Sequence, residues 1–212
     1  MTTRTEPTLT PACVDRALRY LRRVDPIMGE TISRVGPFAM KVQRPRFAML
    51  IRSIISQQIS TSAARTVRQR LIRTAGTLTP ANIATLSMKQ LRAAGLSERK
   101  AEFVRDLANK VLNGDLRLRS MGRLSDEEII AELTQVRGIG VWTAQMFLMF
   151  ALQRPDVFPI GDLGIRNGMV RLYGLNERPD DTTLHAIANA WSPFASVASW
   201  YCWRCLELPD SE

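Results

Sequence analysis

The chain has 212 residues, enough to bury a sizeable core. Its hydrophobic fraction of 45% and mean hydropathy of -0.09 are those of a water-soluble globular protein. Twenty-nine basic residues against 20 acidic ones give a formal charge of +9 and a pI near 10.3, which favours a polyanionic partner, most simply nucleic acid. The most apolar segment, Ile139 to Leu152, is interrupted by Thr143 and Gln145 and falls short of the roughly 20 residues that span a bilayer, so no membrane partner is expected. The amino-terminal MTTRTEPTLTPAC has no apolar stretch of an export signal, which points to a cytoplasmic protein. Three cysteines, Cys13, Cys202 and Cys205, are too few for a four-cysteine iron–sulfur cluster. With His185 they are poorly spaced for zinc, and buried free thiols are the expectation.

Periodicity is helical nearly everywhere. Val14, Ala17, Leu18 and Leu21 recur at helix spacing after the start signal Thr10-Pro11, which predicts a helix to Val24, followed by a Gly/Pro-rich loop around Gly36-Pro37 and Pro45. Phe47, Leu50, Ile51, Ile54 and Ile55 form one stripe, and Gln58 continues it with an amide. A second amphipathic helix is predicted from about Ser62 to Arg73. Thr79-Pro80 and Ser87 open two short helices, the second closed by Gly95. Ser97 caps a helix that ends at Gly114, and Ser125 with Glu128 makes a capping box for a helix to about Leu133. Three further helices are expected at about Leu163 to Tyr173, Asp181 to Trp191 and Phe194 to Leu206. No alternating strand pattern appears, so the fold is predicted to be all-α: a single domain of two helical lobes, one about 37–152, the other about 1–36 with 153–212.

LTQVRGIGVWTA reads as a helix end, a tight turn and a helix start. Gly138 and Gly140 allow backbone angles closed to other residues and close approach of a ligand to the main chain. The amides of Gly138, Gly140 and Val141, and of Thr143 in the first turn, would lie at the positive end of the next helix, where an anion is stabilised without side chains. A helix–helix turn that needs glycine for geometry alone is the bland alternative. Beyond the apolar helix, roughly 20 Å long at ~1.5 Å per residue, residues 153–161 can span up to ~30 Å when extended. They are long enough to return Asp162 toward the hairpin. Taken alone, Asp162 is most simply the N-cap of the helix that follows.

LTQVRGIGVWTAQMFLMF followed by VFPIGD resembles the signature of the helix-hairpin-helix DNA glycosylase superfamily. Together with IRSIISQQIS, AAGLSERKAEFVRDLA and WSPFASVASWYCWR, it is most similar to the bacterial 3-methyladenine DNA glycosylase II branch. The resemblance covers about residues 46–206. It implies a two-lobed all-α bundle with the active site in a cleft between lobes, and double-stranded DNA with a damaged base as partner. Asp162 matches the catalytic aspartate. Trp142 and Trp203 match aromatic pocket positions, and Met146 and Leu163 stand where the best-known member has tyrosine. Gln58 matches the residue that fills the gap left by an extruded nucleotide, with a buried glutamine bonded to a neighbouring helix end as the plain alternative. The carbonyls of Thr134, Val136 and Ile139 match positions that hold a structural Na⁺ or K⁺; no cofactor is required.

Extrusion makes the base reachable, and a carboxylate beside the sugar stabilises an oxocarbenium-like transition state and orients water. Relatives that also cut the strand carry a lysine where this chain has Trp142, which implies a monofunctional enzyme that leaves an abasic site; the resemblance to the branch implies 3-methyladenine and 7-methylguanine as substrates, and a monomer is the expected state for such a cleft. Ala195 stands where related chains often have arginine, and the short amino-terminal region implies that the β-rich domain of larger relatives is missing. The rival readings are a non-catalytic DNA-binding module, a glycosylase for oxidised or mismatched bases, and a zinc protein.

Overall fold

The structure is a computed structural model that describes residues 8–176 and 178–209. Among them the regular elements are all helical. In chain order they are α1 (Pro11–Val24), α2 (Pro26–Val35), α3 (Arg46–Ser56), α4 (Thr61–Ala75), α5 (Pro80–Thr85), α6 (Met88–Ala93), α7 (Glu98–Asn113), α8 (Asp126–Thr134), α9 (Val141–Phe147), α10 (Leu163–Tyr173), α11 (Asp181–Ala188) and α12 (Ala195–Cys205). They fall into two compact units, 43–147 and 8–42 with 148–209. The divisions fall at Val42 and Phe147, where boundaries at about 36 and 152 were expected, and the apolar helix is not uniform. Regular α-helix stops at Phe147 and a π-helical turn, Leu148–Leu152, continues the chain. The turn closes when Arg154 N donates to Leu148 O and Gln153 adopts a φ of 57°.

The helix ends follow local chemistry. Thr10, Ser60, Thr79, Ser87, Ser97 and Ser125 each accept a backbone amide from the first turn of the helix they begin. A cap of this kind is worth ~1 kcal/mol. The capping box of Ser125 and Glu128 forms with bonds of 3.2 and 2.7 Å.

One helix escaped the sequence reading. α2 lies where a loop was expected, although Asp25-Pro26 repeats the cap-and-proline start that announces α1. Its stripe is short: only Met28, Thr31 and Ile32 are buried. Asp25 is itself buried. Its Oδ1 accepts from Met28 N at 2.9 Å, and its Oδ2 accepts from Tyr173 Oη at 2.5 Å and Trp191 Nε1 at 2.9 Å. Three donors offset the desolvation of this carboxylate, and they tie α2 to α10 and to the turn after α11.

In the first unit Leu50, Ile51, Ile54, Leu71, Ile83, Leu91, Val104 and Leu107 are fully buried. In the second, Leu21, Met28, Ile32, Ile165, Met169, Leu184, Trp191 and Tyr201 form the core. There α10 lies close on α12: a Cβ at Gly168 would sit 2.2 Å from Cys202 O, and one at Gly164 would sit 2.9 Å from Trp203 Cδ1. Two glycines four residues apart on one helix face make that approach feasible.

Candidate active site and nucleic-acid interface

In the first unit, α8 ends at Thr134 and the chain turns through 135–140 into α9. Gly138 has a φ of 82°, and a Cβ there would overlap the ring of Phe103 at 2.0 Å. Glycine is therefore needed twice over, for the left-handed angle and for the ring beneath it. Gly140 differs from expectation. Its φ is not in the left-handed region, and a Cβ would meet nothing within 4 Å, so what it supplies is open access to the main chain. Ala144 N to Gly140 O, 3.0 Å, is the first helical bond of α9. The amides of Val141 and Thr143 precede that bond and sit at the positive end of the helix. Side chains hold the turn from outside: Asp106 Oδ2 accepts from Arg137 N at 2.9 Å, and Gln57 Nε2 donates to Gly138 O at 2.8 Å.

The bond to a neighbouring helix end that was the plain alternative for Gln58 is made by Gln57 instead. α3 stops at Ser56, so Gln58 does not continue it. Gln58 is exposed, with a φ of 56°, while Gln57 is half-buried and makes the bond to a neighbouring helix end. Sequence spacing could not separate them, because the helix terminates between Ile55 and the pair.

In the second unit, Asp162 caps α10. Its Oδ1 accepts from Ile165 N at 3.0 Å and from Trp203 Nε1 at 2.8 Å. The N-cap expectation holds, and the same oxygen also accepts an indole N–H, so one side chain is fixed by two donors. Trp203 stacks on Phe150, with ring centroids 5.8 Å apart and planes at 22°. Gly164 leaves room for that indole, since a Cβ there would lie 3.1 Å from both Trp203 Nε1 and Asp162 Oδ1. The loop before Asp162 is stitched to the start of α12. Val157 N donates to Ser196 Oγ, Ser196 N to Pro155 O, Ala195 N to Asp156 Oδ1 and Ser192 Oγ to Asp156 Oδ2. Asp162 N then donates to Pro159 O at 2.8 Å. One helix, α12, thus anchors the loop at its first turn and aims the carboxylate from its last.

Other expected site residues divide by exposure. Trp142 at 42%, Val141 at 54% and Leu163 at 71% are large apolar side chains left in solvent beside the hairpin and beside Asp162. Met146 and the side chain of Thr143 are buried in their own unit at 6% and 3%, so Met146 acts as core and Thr143 offers only its amide. Trp142, one turn before Met146, is left largely in solvent while Met146 is covered. Phe150, Gly164, Asp156 and Ser196 were missed; of these, only the spacing of Gly164 and Gly168 left a trace in the sequence. Cys202 and Cys205 are buried free thiols whose burial pushes both pKa values up. His185 packs edge-on against Phe158, and no group of three His, Cys, Asp or Glu residues arranged for a metal occurs among the described residues. No helix among them is long and apolar enough to cross a membrane.

An all-helical chain with a glycine hairpin open to an anion and a tryptophan-held aspartate on a separate helix describes a class of DNA repair protein. A family model for HhH-GPD superfamily base excision DNA repair proteins matches residues 51–193. The chain is 36% identical over 166 residues to the putative DNA-3-methyladenine glycosylase YfjP of Bacillus subtilis, covering 74% of this chain and 58% of that one. It is 36% identical over 176 residues to DNA-3-methyladenine glycosylase 1 of Schizosaccharomyces pombe, covering 81% and 77%. The solved structure of the S. pombe 3-methyladenine DNA glycosylase Mag1 in complex with abasic DNA matches with a TM-score of 0.82 at 32% identity, over 93% of this chain and 99% of that one. The chain spans less than two thirds of the Bacillus relative, and more of the yeast one. It belongs to the HhH-GPD superfamily of base excision DNA repair proteins.

Proposed function

We propose that this chain is a monofunctional DNA glycosylase that releases alkylated purines, 3-methyladenine and 7-methylguanine, from double-stranded DNA. The observation that carries the reading is the Asp162 carboxylate fixed by Trp203 Nε1 beside exposed apolar surface. A carboxylate held in one rotamer is ready to stabilise positive charge on the sugar without reorganising. Hydrolysis breaks the N-glycosidic bond, whose electron pair leaves with the base, while water adds to the anomeric carbon and loses its proton toward Asp162. An alkylated purine is already cationic and departs without a separate acid. The face of Trp203 opposite Phe150 suits such a cation, worth roughly 0.5 to 2 kcal/mol depending on desolvation. With tryptophan rather than lysine at position 142, no Schiff base forms there, and the product is an abasic site.

Binding rests on the hairpin amides and on an arginine face. Arg65, Arg68, Arg70 and Arg73 are exposed on α4, which has no acidic residue, and none of the four is in an ion pair among the described residues. Nearby, burial and then the charge of Arg68 push Arg52 below its usual range. Such crowded cations suit a polyphosphate backbone. Carbonyls of Thr134, Val136 and Ile139, at the negative end of α8, are neutral hard donors that fit Na⁺ or K⁺. The cation would stiffen the hairpin. We take the protein to act as a cytoplasmic monomer.

The deciding experiment is base release from methylated duplex DNA by the wild type and Asp162→Asn. The wild type should free 3-methyladenine, and the variant should bind DNA while losing release by on the order of 10²-fold or more. A wild type that binds DNA and frees no methylated base would favour a non-catalytic binding module. Trapping of an enzyme–DNA adduct by borohydride would overturn the monofunctional assignment.

A further inference from the structure

α7 presents Lys100, Phe103 and Asp106 three residues apart, and each holds part of the DNA-facing surface of the first unit. Lys100 Nζ donates to Ile55 O at 2.7 Å and to Gln57 O at 2.6 Å, at the end of α3. Phe103 lies under Gly138, and Asp106 accepts the amide of Arg137. Gln57 closes the circuit through its 2.8 Å bond to Gly138 O, 81 residues away in sequence. Immediately after this double tether, the chain enters the left-handed region at Gln58, and both Gln58 and Ile59 are exposed, Ile59 at 39%. A glutamine at positive φ costs on the order of 1 kcal/mol and persists only where the surroundings impose it. Here they are an ammonium on two carbonyls and an amide reaching the hairpin.

We infer that Lys100 and Gln57 are positioning residues that lock the Gln58–Ile59 turn to the phosphate-binding hairpin, so that the group filling the helix gap and the group gripping the strand keep one fixed separation. The inference rests on the glycosylase reading above. A helix cap alone would explain Lys100, since a cation at a helix C-terminus satisfies open carbonyls. It would not explain the Gln57 bond to the hairpin turn. An extruded nucleotide stays out only while its place is occupied, and a plug displaced relative to the anchored strand fills that place poorly. Burial lowers the pKa of Lys100, in keeping with an ammonium withdrawn from water to hold backbone rather than to meet DNA.

The test compares wild type, Lys100→Met, Gln57→Leu and Lys100→Arg on one oligonucleotide carrying a single 7-methylguanine, either paired in duplex or single-stranded. Single-turnover release is measured together with the fluorescence of a 2-aminopurine beside the lesion and with the melting temperature of each variant. Lys100→Met and Gln57→Leu should slow release from duplex about tenfold and lower the fluorescence rise on binding. Release from the single strand, where little unstacking is needed, should stay within about twofold. Lys100→Arg should recover part of the duplex rate. Equal slowing on both substrates, or duplex rates and fluorescence unchanged in both variants, would overturn the inference. If the wild type releases nothing from either substrate, the glycosylase reading fails, and the fluorescence comparison alone still decides whether these residues control unstacking.

Discussion

At the hairpin the groups offered to a ligand are main-chain amides, and the side chains around them, Phe103, Asp106 and Gln57, serve to hold the backbone. At Asp162 the group offered is a side chain, and an amide, an indole and a stitched loop serve to aim it. If the hairpin grips DNA as proposed, the first arrangement should tolerate change in the side chains around its amides and little in those beneath. The second should allow no change at Asp162 itself. Gripping a phosphate needs dipoles fixed in a row, whereas assisting bond cleavage needs one charge fixed in one rotamer.

The largest effect should come from disturbing the support of the acid. Gly168→Ala puts a Cβ 2.2 Å from the Cys202 carbonyl, so α10 and α12 must separate. A drop in melting temperature of several degrees and loss of release together are expected; an unchanged melting curve would show that α10 does not depend on this approach. Trp203→Phe keeps an aromatic wall and removes the donor to Asp162. Release should fall roughly 10- to 100-fold with DNA affinity intact, on the ~1.5–3 kcal/mol scale of hydrogen bonds to charged groups. Retained activity would assign Trp203 to the pocket wall alone.

Replacing Arg65, Arg68, Arg70 and Arg73 by serine sharpens the other side of the comparison. Affinity should weaken similarly for damaged and undamaged duplex, and the salt slope should shrink by up to about 1 per arginine that meets a phosphate. The smallest effect is alkaline. Burial, and for Tyr173 also its bond to Asp25, raises Tyr173 above its ordinary value of 10.0, and burial pushes Tyr201 up to about 12. Because the unfolded chain loses these protons first, the stabilisation is complete below pH 10 and declines as pH rises toward 12. Tyr201→Phe should flatten that decline in a pH series of melting curves.

Most of the fold was legible because caps and hydrophobic periods are local: Ser97 with Gly114, and Ser125 with Glu128, mark their helices within a few residues. α2 was lost because three buried positions in ten residues make too weak a stripe, and the Asp25-Pro26 start was passed over. The switch from α to π at Leu148 left no apolar signature, since Leu148, Met149, Ala151 and Leu152 are buried in either geometry. At the site, Asp162 and Gly138 could be read from motif and spacing. Their hydrogen bonds could not: Trp203, named only as a pocket residue, lies 41 residues from Asp162, and Gln57 lies 81 from Gly138, contacts that only the folded chain brings together.

If the chain is the proposed glycosylase, grip and chemistry fall to different groups, a division that can be measured. Its most direct test measures, for Asp162→Asn and Gly138→Ala alike, the dissociation constant on a duplex with a stable abasic analogue and the single-turnover release rate at saturating enzyme. Asp162→Asn should keep the wild-type affinity and lose release, while Gly138→Ala should bind weakly and, once saturated, release base from single-stranded DNA, where the tie from the hairpin to the Gln58–Ile59 turn matters little, at a rate within a few-fold of wild type. Equal losses of affinity and of saturated rate in both variants would contradict the division.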